Sequence, residues 1–212
     1  MLDVLNHSIF LWPVGICWLV AAAITFERVF FLWFRAGIHT DTFLQSVQAA
    51  IAADQIDHAL RLCLNEPHAP VARVTKAALQ YAESDRDELE LAVEEATLDS
   101  VPGLQTRVGY LAMLANVVTL FGLLGTIVGL ITSFAAVADA NPEEKQTMLA
   151  AGISLAMYTT AGGIAAAIPT LIAYAVLVQK GNAILDDVER VGARMVMILL
   201  ARRKARAAAG GT

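Results

Sequence analysis

The stretch that decides the fold is residues 109–137, GYLAMLANVVTLFGLLGTIVGLITSFAAV, in which no side chain is charged. Small and hydroxyl-bearing residues recur along it in steps of three and four, a spacing that places them on one face of a helix. They are Ala112, Ala115, Thr119, Gly122, Thr126, Gly129, Ser133 and Ala136. A faintly polar stripe opposite an apolar surface is typical of a membrane helix with lipid on one side and a packed or hydrated interior on the other.

A second uncharged stretch, residues 149–178, repeats this pattern with a stripe of its own. That stripe consists of Ala156, Thr160, Gly163, Ala167, Thr170 and Tyr174. The whole chain is 57% hydrophobic and 17% charged, whereas soluble domains are about 45–50% apolar and about 25% charged. Because a membrane-spanning helix needs about 20 apolar residues, the composition predicts an all-α membrane protein. The expected transmembrane helices are 8–30, 109–137 and 149–178.

The first apolar run has an alternative interpretation as a cleaved signal peptide. It lacks a basic region before the apolar residues and a small-residue cleavage site after them, which favours a retained helix.

The distribution of basic residues predicts the orientation in the membrane. Lys145 is the one Lys or Arg in the N-terminal heptapeptide and the 139–148 loop, and the other 14 of 15 lie on the opposite side or at its helix ends. The positive-inside rule therefore places the 35–106 segment and the 179–212 tail in the cytoplasm. The N-terminus and the 139–148 loop then lie on the opposite side of the membrane. We expect the basic cluster at 202–206 to lie near anionic lipid as a topological anchor.

The cytoplasmic segments have helical periodicity and no β pattern. We expect helices at 41–64, with a break near Ala53-Asp54, and at 71–81 and 85–98. A further helix after Pro102 should run straight into the 109–137 span, and 181–200 should stay helical after the last span. These helices are predicted to form a bundle below the membrane.

Nothing in the sequence favours an enzyme. Cys17 lies in an apolar run and Cys63 in the cytoplasmic segment, so the two cysteines give no disulfide framework. The four histidines are scattered, and the chain has no metal-ligand spacing, phosphate-binding loop or nucleophile elbow. We therefore predict no metal, no cofactor and no nucleic-acid partner.

The two stripes allow two interpretations. Small residues let helix backbones approach closely, so packing alone accounts for the glycines and alanines. Five hydroxyls on the two faces instead indicate contact with water or with a polar partner: Thr119, Thr126, Ser133, Thr160 and Thr170. Ion pathways in membranes normally contain an ionisable residue, which both stripes lack. If the protein conducts ions, a partner must supply the carboxylate, and several copies in a ring would line the channel.

Four segments of the chain resemble the MotA/TolQ/ExbB proton-channel family. Residues 111–115, LAMLA, and 121–131, FGLLGTIVGLI, are similar to its second-helix signature, and residues 159–169, TTAGGIAAAIP, to its third-helix signature. Glu27-Arg28 matches a Glu-Arg pair at the end of the family's first helix. The resemblance covers almost the whole chain, and it implies a place in a bacterial inner membrane with the N-terminus and the 139–148 loop in the periplasm.

The resemblance implies a ring-shaped homopentamer around two single-pass partner helices of the ExbD/TolR kind, each carrying one membrane aspartate. Ion flow past that aspartate drives motion, which the partner passes outward as force. Thr126 and Thr160 match the threonines that face the aspartate, and the rest of the stripes would line the pore. Pro169 would kink the third helix and free the Ala165 carbonyl. The coupling ion is a proton or sodium.

The sequence also departs from the family pattern. TolQ- and ExbB-like members carry Glu five residues before the third-helix threonine, where this chain has Leu155. Tyr158-Thr159-Thr160 is similar to the flagellar stator branch, which has four membrane helices instead of three. This mixture suggests a specialised motor, such as one for gliding motility. Glu27 is a candidate for the place where ions enter, and an interfacial ion pair is its alternative.

The main competing hypothesis is a non-conducting membrane scaffold whose stripes serve only for packing. A small-substrate transporter is disfavoured because the chain shows neither internal repeats nor a charged residue within the two long spans.

Overall fold

The computed structural model describes residues 2–138 and 141–210, and within them every regular element is helical. The first helix, α1, spans Leu2–Phe30 and continues directly into a π-helical turn at Phe31–Arg35. Four short helices follow: α2 at Thr40–Ala52, α3 at Ile56–Asn65, α4 at Pro70–Gln80 and α5 at Arg86–Leu98. The last three are α6 at Val101–Gln105, α7 at Val108–Ala138 and α8 at Pro142–Gly210.

Three of the described helical stretches are long and apolar enough to cross a membrane. They lie within Trp12–Ala52, Arg86–Ala138 and Pro142–Ala208, in agreement with the predicted all-α membrane fold. Large apolar side chains on them remain exposed, for example Phe26 at 77%, Leu120 at 63% and Ile172 at 60%. Such surfaces suit lipid or neighbouring helices rather than water.

The chain divides into two compact units. The first consists of Met1–Arg28 and Arg107–Val176, and therefore holds the apolar parts of α1, α7 and α8. The second consists of Val29–Thr106 and Leu177–Thr212, and holds the short helices with the C-terminal part of α8.

The core of the second unit is built on the last part of α8. Its buried side chains there are Leu177, Ile184, Val188, Val191, Met195, Val196 and Leu199. Gly192 lets this helix approach α4 and α5, because a Cβ at that position would lie 2.9 Å from Val93 Cγ1 and 3.3 Å from Val74 Cγ1. The helix expected over 181–200 is therefore present, and one side of it is buried in this unit.

Two breaks in the helices occur at residues with left-handed backbones. Asp54 has φ 59° and separates α2 from α3, close to the break that the sequence suggests. Arg107 has φ 66° and follows Thr106, whose ψ is 137°. The expectation that the helix after Pro102 runs straight into the second span is therefore wrong, since a non-glycine residue in the left-handed region ends a helix.

The long helix α8 begins earlier and runs further than the predicted segments. It starts at Pro142, where a proline at the first helical position and Glu143 and Glu144 in the first turn suit a helix N-terminus. Most of the expected 139–148 loop is therefore helical, and residues 139 and 140 lie outside the described residues. The helix is continuous through Pro169 and through the predicted boundary at 178/179.

Candidate functional site

The backbones of α7 and α8 touch at two glycines of the first unit. A Cβ on Gly122 would lie 3.1 Å from the Gly163 Cα, and a Cβ on Gly163 would lie 3.0 Å from the Gly122 Cα. Real Cβ atoms rarely approach other atoms so closely, so a Cβ at either position would require the two backbones to shift apart. Glycine packing of this kind is common where membrane helices meet.

Two adjacent threonines of α8 bond to one carbonyl of α7 beside this contact. The Thr160 hydroxyl donates to the Gly122 carbonyl oxygen at 3.0 Å, and the Thr159 hydroxyl lies 3.2 Å from the same oxygen. Thr159 also donates to the Ala156 carbonyl of its own helix at 2.7 Å. The structure therefore brings the predicted Thr160 to the helix contact and adds Thr159, which the sequence analysis did not assign.

The two threonines differ in burial. Thr159 is 2% exposed and packs against Gly125, where an added Cβ would lie 2.7 Å from the Thr159 Oγ1. Thr160 is half-buried at the edge of the contact. Of these two threonines, only Thr160 therefore has its hydroxyl within reach of a group outside the chain.

The other predicted hydroxyls bond within their own helices. Thr126, half-buried, donates to the Leu123 carbonyl at 2.6 Å, and exposed Thr119 donates to Ala115 at 3.0 Å. Bonding of this kind satisfies a threonine in an apolar environment without any partner. The remaining hydroxyl bonds are Ser133 to the Gly129 carbonyl at 2.6 Å and Thr170 to the Ala166 carbonyl at 2.9 Å.

Most residues of the predicted pore lining are buried within the single chain. They are Gly122, Gly129, Ser133, Ala156, Gly163, Ala167 and Thr170. Ser133 fits over Gly152 of α8, where an added Cβ would meet the Ser133 Oγ at 1.9 Å. The stripe thus contributes to packing inside the subunit, and its role as a pore lining stays a prediction.

Glu27 lies in an ion pair with Arg107. The Arg107 Nη1 donates to both carboxylate oxygens, at 2.6 Å and 2.7 Å, and both side chains are about half exposed. This is the alternative to an ion-entrance role that the sequence analysis left open for Glu27. Sequence reasoning missed Arg107 as the partner because it lies 80 residues away.

The basic side chains of the tail bind other residues of the second unit in the same chain. Nη2 of Arg202 and Nη2 of Arg206 each lie 2.6 Å from the Asp54 Oδ1, and Arg203 donates to the Ser84 carbonyl. Hydrogen bonds from Arg202, and then from Arg206, lower the pKa of Asp54 below its usual value. Three basic side chains of the expected lipid anchor therefore bind the turns of the helical bundle, and the role of the cluster as an anchor near anionic lipid stays a prediction.

The sequence profile of the MotA/TolQ/ExbB proton channel family matches residues 66–190, which is more than half of the chain. The chain belongs to this family. The matched region contains both helix signatures and the contact between Gly122 and Gly163, so the resemblance stated from the sequence is confirmed.

Individual relatives agree with this assignment. The chain is 26% identical over 198 residues to an ExbB-like biopolymer transport protein of Synechocystis, a match that covers 92% of this chain and 77% of the relative. It is 40% identical over 87 residues to the Tol-Pal system protein TolQ of Haemophilus influenzae, covering 41% of this chain and 38% of TolQ. Over 61 residues it is 41% identical to the biopolymer transport protein ExbB1 of Vibrio cholerae, covering 29% and 27%.

Proposed function

We propose that this chain is the ring-forming channel subunit of an inner-membrane motor that couples the proton-motive force to mechanical work. The observation that carries the proposal is the placement of the Thr160 hydroxyl. It lies half-buried at the edge of the α7–α8 contact, bonded to the Gly122 carbonyl, in a protein of the proton channel family. A hydroxyl in this position can donate its hydrogen bond to an ion-carrying group and afterwards donate it to the Gly122 carbonyl again.

The chemistry of the two long helices requires a partner. Residues 108–138 and 146–179 contain no Asp, Glu, His, Lys or Arg, so neither stretch can itself bind and release a proton near neutral pH. A single-pass ExbD/TolR-like protein would supply one membrane aspartate. Thr160 and Thr126 would then donate hydrogen bonds to that carboxylate, and each hydroxyl can also accept one from its protonated form.

The assembly in this proposal is a ring of five copies around two partner helices. A single chain with two hydroxyl-bearing edges cannot enclose a path, whereas several copies can. The 35–106 and 179–212 segments, which hold most of the Lys and Arg residues, lie in the cytoplasm and the N-terminus lies in the periplasm, as the positive-inside rule favours.

The names of the relatives support a proposal for the kind of work that the motor does. The ExbB-like relatives carry the name biopolymer transport and TolQ the name of the Tol-Pal system, which favours force transmission across the cell envelope. Gliding motility is the narrower proposal, supported by the stator-like Tyr158-Thr159-Thr160 run in a three-helix chain.

The test begins with purification of the tagged protein from its own host membranes. Native mass spectrometry should show five copies with two copies of a small membrane protein, whose sequence should contain a membrane aspartate. Proteoliposomes of that complex should carry protons in response to a membrane potential. Repeating the measurement with a sodium gradient separates the two candidate ions.

Substitutions then test the pathway. Thr160→Val should abolish ion flux while the complex keeps its composition, and Thr126→Val should reduce it in part. Thr132→Val is the matched control, because Thr132 lies on α7 outside the stripe and donates to its own helix at Gly129. Full flux in Thr160→Val would show that the pathway is assigned wrongly.

The second candidate is a non-conducting scaffold. It is favoured by the close contact of Gly122 with Gly163 and by the hydrogen bond that each predicted stripe hydroxyl makes to a backbone carbonyl. A purified monomer or dimer without a partner, and flux equal to that of empty liposomes, would support it.

A further inference from the structure

Two hydroxyl groups lie within hydrogen-bonding distance of the Gly122 carbonyl oxygen, which can accept only one of them. Within α7 this carbonyl accepts the amide N–H four residues later, as every interior helical carbonyl does. A carbonyl oxygen has two lone pairs, so one remains for the hydroxyls of Thr159 and Thr160, which lie 3.2 Å and 3.0 Å away. The two hydroxyls therefore compete for one acceptor.

Thr159 has a second acceptor. Its single hydroxyl proton can go to the Ala156 carbonyl at 2.7 Å or to the Gly122 carbonyl at 3.2 Å. The shorter distance favours Ala156 while Thr160 occupies Gly122. When Thr160 turns away, a small rotation of the Thr159 hydroxyl supplies the Gly122 carbonyl with a replacement donor.

We infer that Thr159 is a positioning residue that releases Thr160 for ion transfer by taking over the Gly122 carbonyl. This rests on the proposed function, in which Thr160 bonds alternately to α7 and to a carboxylate of the partner. Without Thr159, each release would cost the Gly122 carbonyl its second hydrogen bond with no replacement, which is unfavourable in an apolar environment. Thr160 would then stay on the Gly122 carbonyl.

The packing around Thr159 suits this role. The side chain is 2% exposed, so it cannot itself reach an ion or a partner. Gly125 provides the room, since a Cβ there would lie 2.7 Å from the Thr159 Oγ1 and 2.9 Å from its Cβ. The hydroxyl is thereby held between its two acceptors, while Thr160 remains at the edge.

The exchange of donors can be observed in the chain itself by NMR in lipid bilayers. Labelling glycine at the carbonyl carbon and leucine at nitrogen selects the three Gly-Leu pairs of the sequence, at 103–104, 122–123 and 129–130. Gly122→Ala identifies the signal of interest. Loss of a hydrogen bond moves a carbonyl carbon signal upfield.

The expected changes in the chemical shift of the Gly122 carbonyl carbon are not additive between the Thr159 and Thr160 variants. Thr160→Val and Thr159→Val should each leave the Gly122 signal near its original position, because the other hydroxyl takes over. The double variant should show the full upfield shift, and Thr159→Ser with Thr160→Val should reverse it. A full shift in Thr160→Val alone would overturn the inference, since Thr159 would then not replace it.

Ion flux separates this inference from the proposed function. In proteoliposomes of the purified complex, Thr159→Val should lower proton flux by about fivefold, the ratio that corresponds to one net hydrogen bond, and Thr159→Ser should restore it. The flux should fall most at high pH, where the partner carboxylate is ionised and needs the Thr160 hydroxyl.

The outcomes are distinct. If Thr160→Val blocks flux while Thr159→Val conducts like the unmodified complex at every pH, the proposed channel function is supported and the positioning role of Thr159 is overturned. If Thr160→Val conducts fully, the proposed pathway fails whatever Thr159→Val does. Should Thr159→Val not assemble, Thr159→Ala gives the same two comparisons.

Discussion

Glu27 and Arg107, 80 residues apart, are joined by two charge-assisted hydrogen bonds from one guanidinium nitrogen, at 2.6 Å and 2.7 Å. Arg107 stands immediately before α7 with φ 66°, in the left-handed region. Its side chain and its backbone thus have opposite effects on stability, because the ion pair is favourable and the backbone conformation is costly for a residue with a Cβ.

Substitutions at Arg107 should separate these two effects. Arg107→Ala removes the ion pair and keeps the unfavourable φ, whereas Arg107→Gly removes the pair and relieves the backbone. We therefore expect Arg107→Gly to be more stable than Arg107→Ala by about 1 kcal/mol. Thermal unfolding in one detergent, followed by tryptophan fluorescence, measures the order. Equal midpoints would show that the backbone conformation is not costly there.

The contact between Gly122 and Gly163 should not tolerate a methyl group. In Gly122→Ala the new Cβ would lie 3.0 Å from the Thr159 carbonyl oxygen and 3.1 Å from the Gly163 Cα, so the helices must move apart. Overpacking of this kind costs about 1–3 kcal/mol. Gly109→Ala on the same helix is the control, because its Cβ meets nothing within 4 Å. A Gly122→Ala protein as stable as the control would contradict the close contact.

The fit of Ser133 over Gly152 predicts a compensating pair of substitutions. Gly152→Ala should destabilise the protein, because the added Cβ would meet the Ser133 Oγ at 1.9 Å and the Ser133 Cβ at 2.5 Å. Adding Ser133→Gly removes both atoms and leaves the Cα at 3.6 Å, so the double variant should recover. The measurement is the unfolding midpoint of all three variants. Independent, additive losses would show that the two positions are not in contact.

The sequence carries much of the fold because apolar runs and helical periodicity are local signals. The three apolar runs, the helices of the cytoplasmic segment and the break near Asp54 follow from them. The left-handed Arg107 could not be predicted in this way, since its partner Glu27 is distant in sequence. The same holds for the basic tail, whose acidic partner Asp54 lies 148 residues before Arg202.

The candidate site shows a second limit of sequence reasoning. Thr159 and Thr160 are one residue and therefore about 100° apart around α8. Periodicity finds a stripe that contains one of them, but which threonine is buried depends on how α8 crosses α7. The Thr-Thr doublet was the available signal, and only the close approach at Gly122 shows that both hydroxyls bond to the same carbonyl.

The buried thiol of Cys63 should react slowly and with an unusual pH dependence. Removal from water raises its pKa to about 11, from an ordinary value of 9.0. In a Cys17→Ser background, the rate of alkylation by iodoacetamide should keep rising from pH 8 beyond pH 9, because the thiolate is the nucleophile. A rate that levels off near pH 9 would contradict the raised pKa.

The free energy of unfolding should depend on pH through the Cys63 thiol. The folded state holds the Cys63 proton more tightly than the unfolded chain does, so this contribution is fully present below pH 9.0 and is lost between there and about 11. Cys63→Ala should remove that part of the pH dependence of unfolding.

The salt-bridged tail provides the last prediction. Asp54 bonds to Arg202 and Arg206, and Glu83 lies 3.2 Å from Arg206, so the end of α8 is held by two turns of the bundle. Asp54→Asn removes the charge that both arginines share. Trypsin should then cleave within 202–206 faster than in the unmodified protein, as mass spectrometry of the C-terminal peptides would show. Asp57→Asn, an exposed acid on α3, is the matched control.

Salt and acid should release the tail in the same way, because each weakens the pairs with Asp54. Since these pairs are exposed, raising the salt from 0.1 M to 1 M shortens the screening length from about 10 Å to about 3 Å and should speed cleavage. The lowered pKa of Asp54 means that the folded state binds its proton less tightly than the unfolded chain. The pairing is therefore complete above about pH 4 and is lost as the pH falls through the lowered value. Hydrogen exchange of the tail amides should rise in that acid range in the unmodified protein and not in Asp54→Asn, and identical profiles would show that Asp54 does not hold the tail.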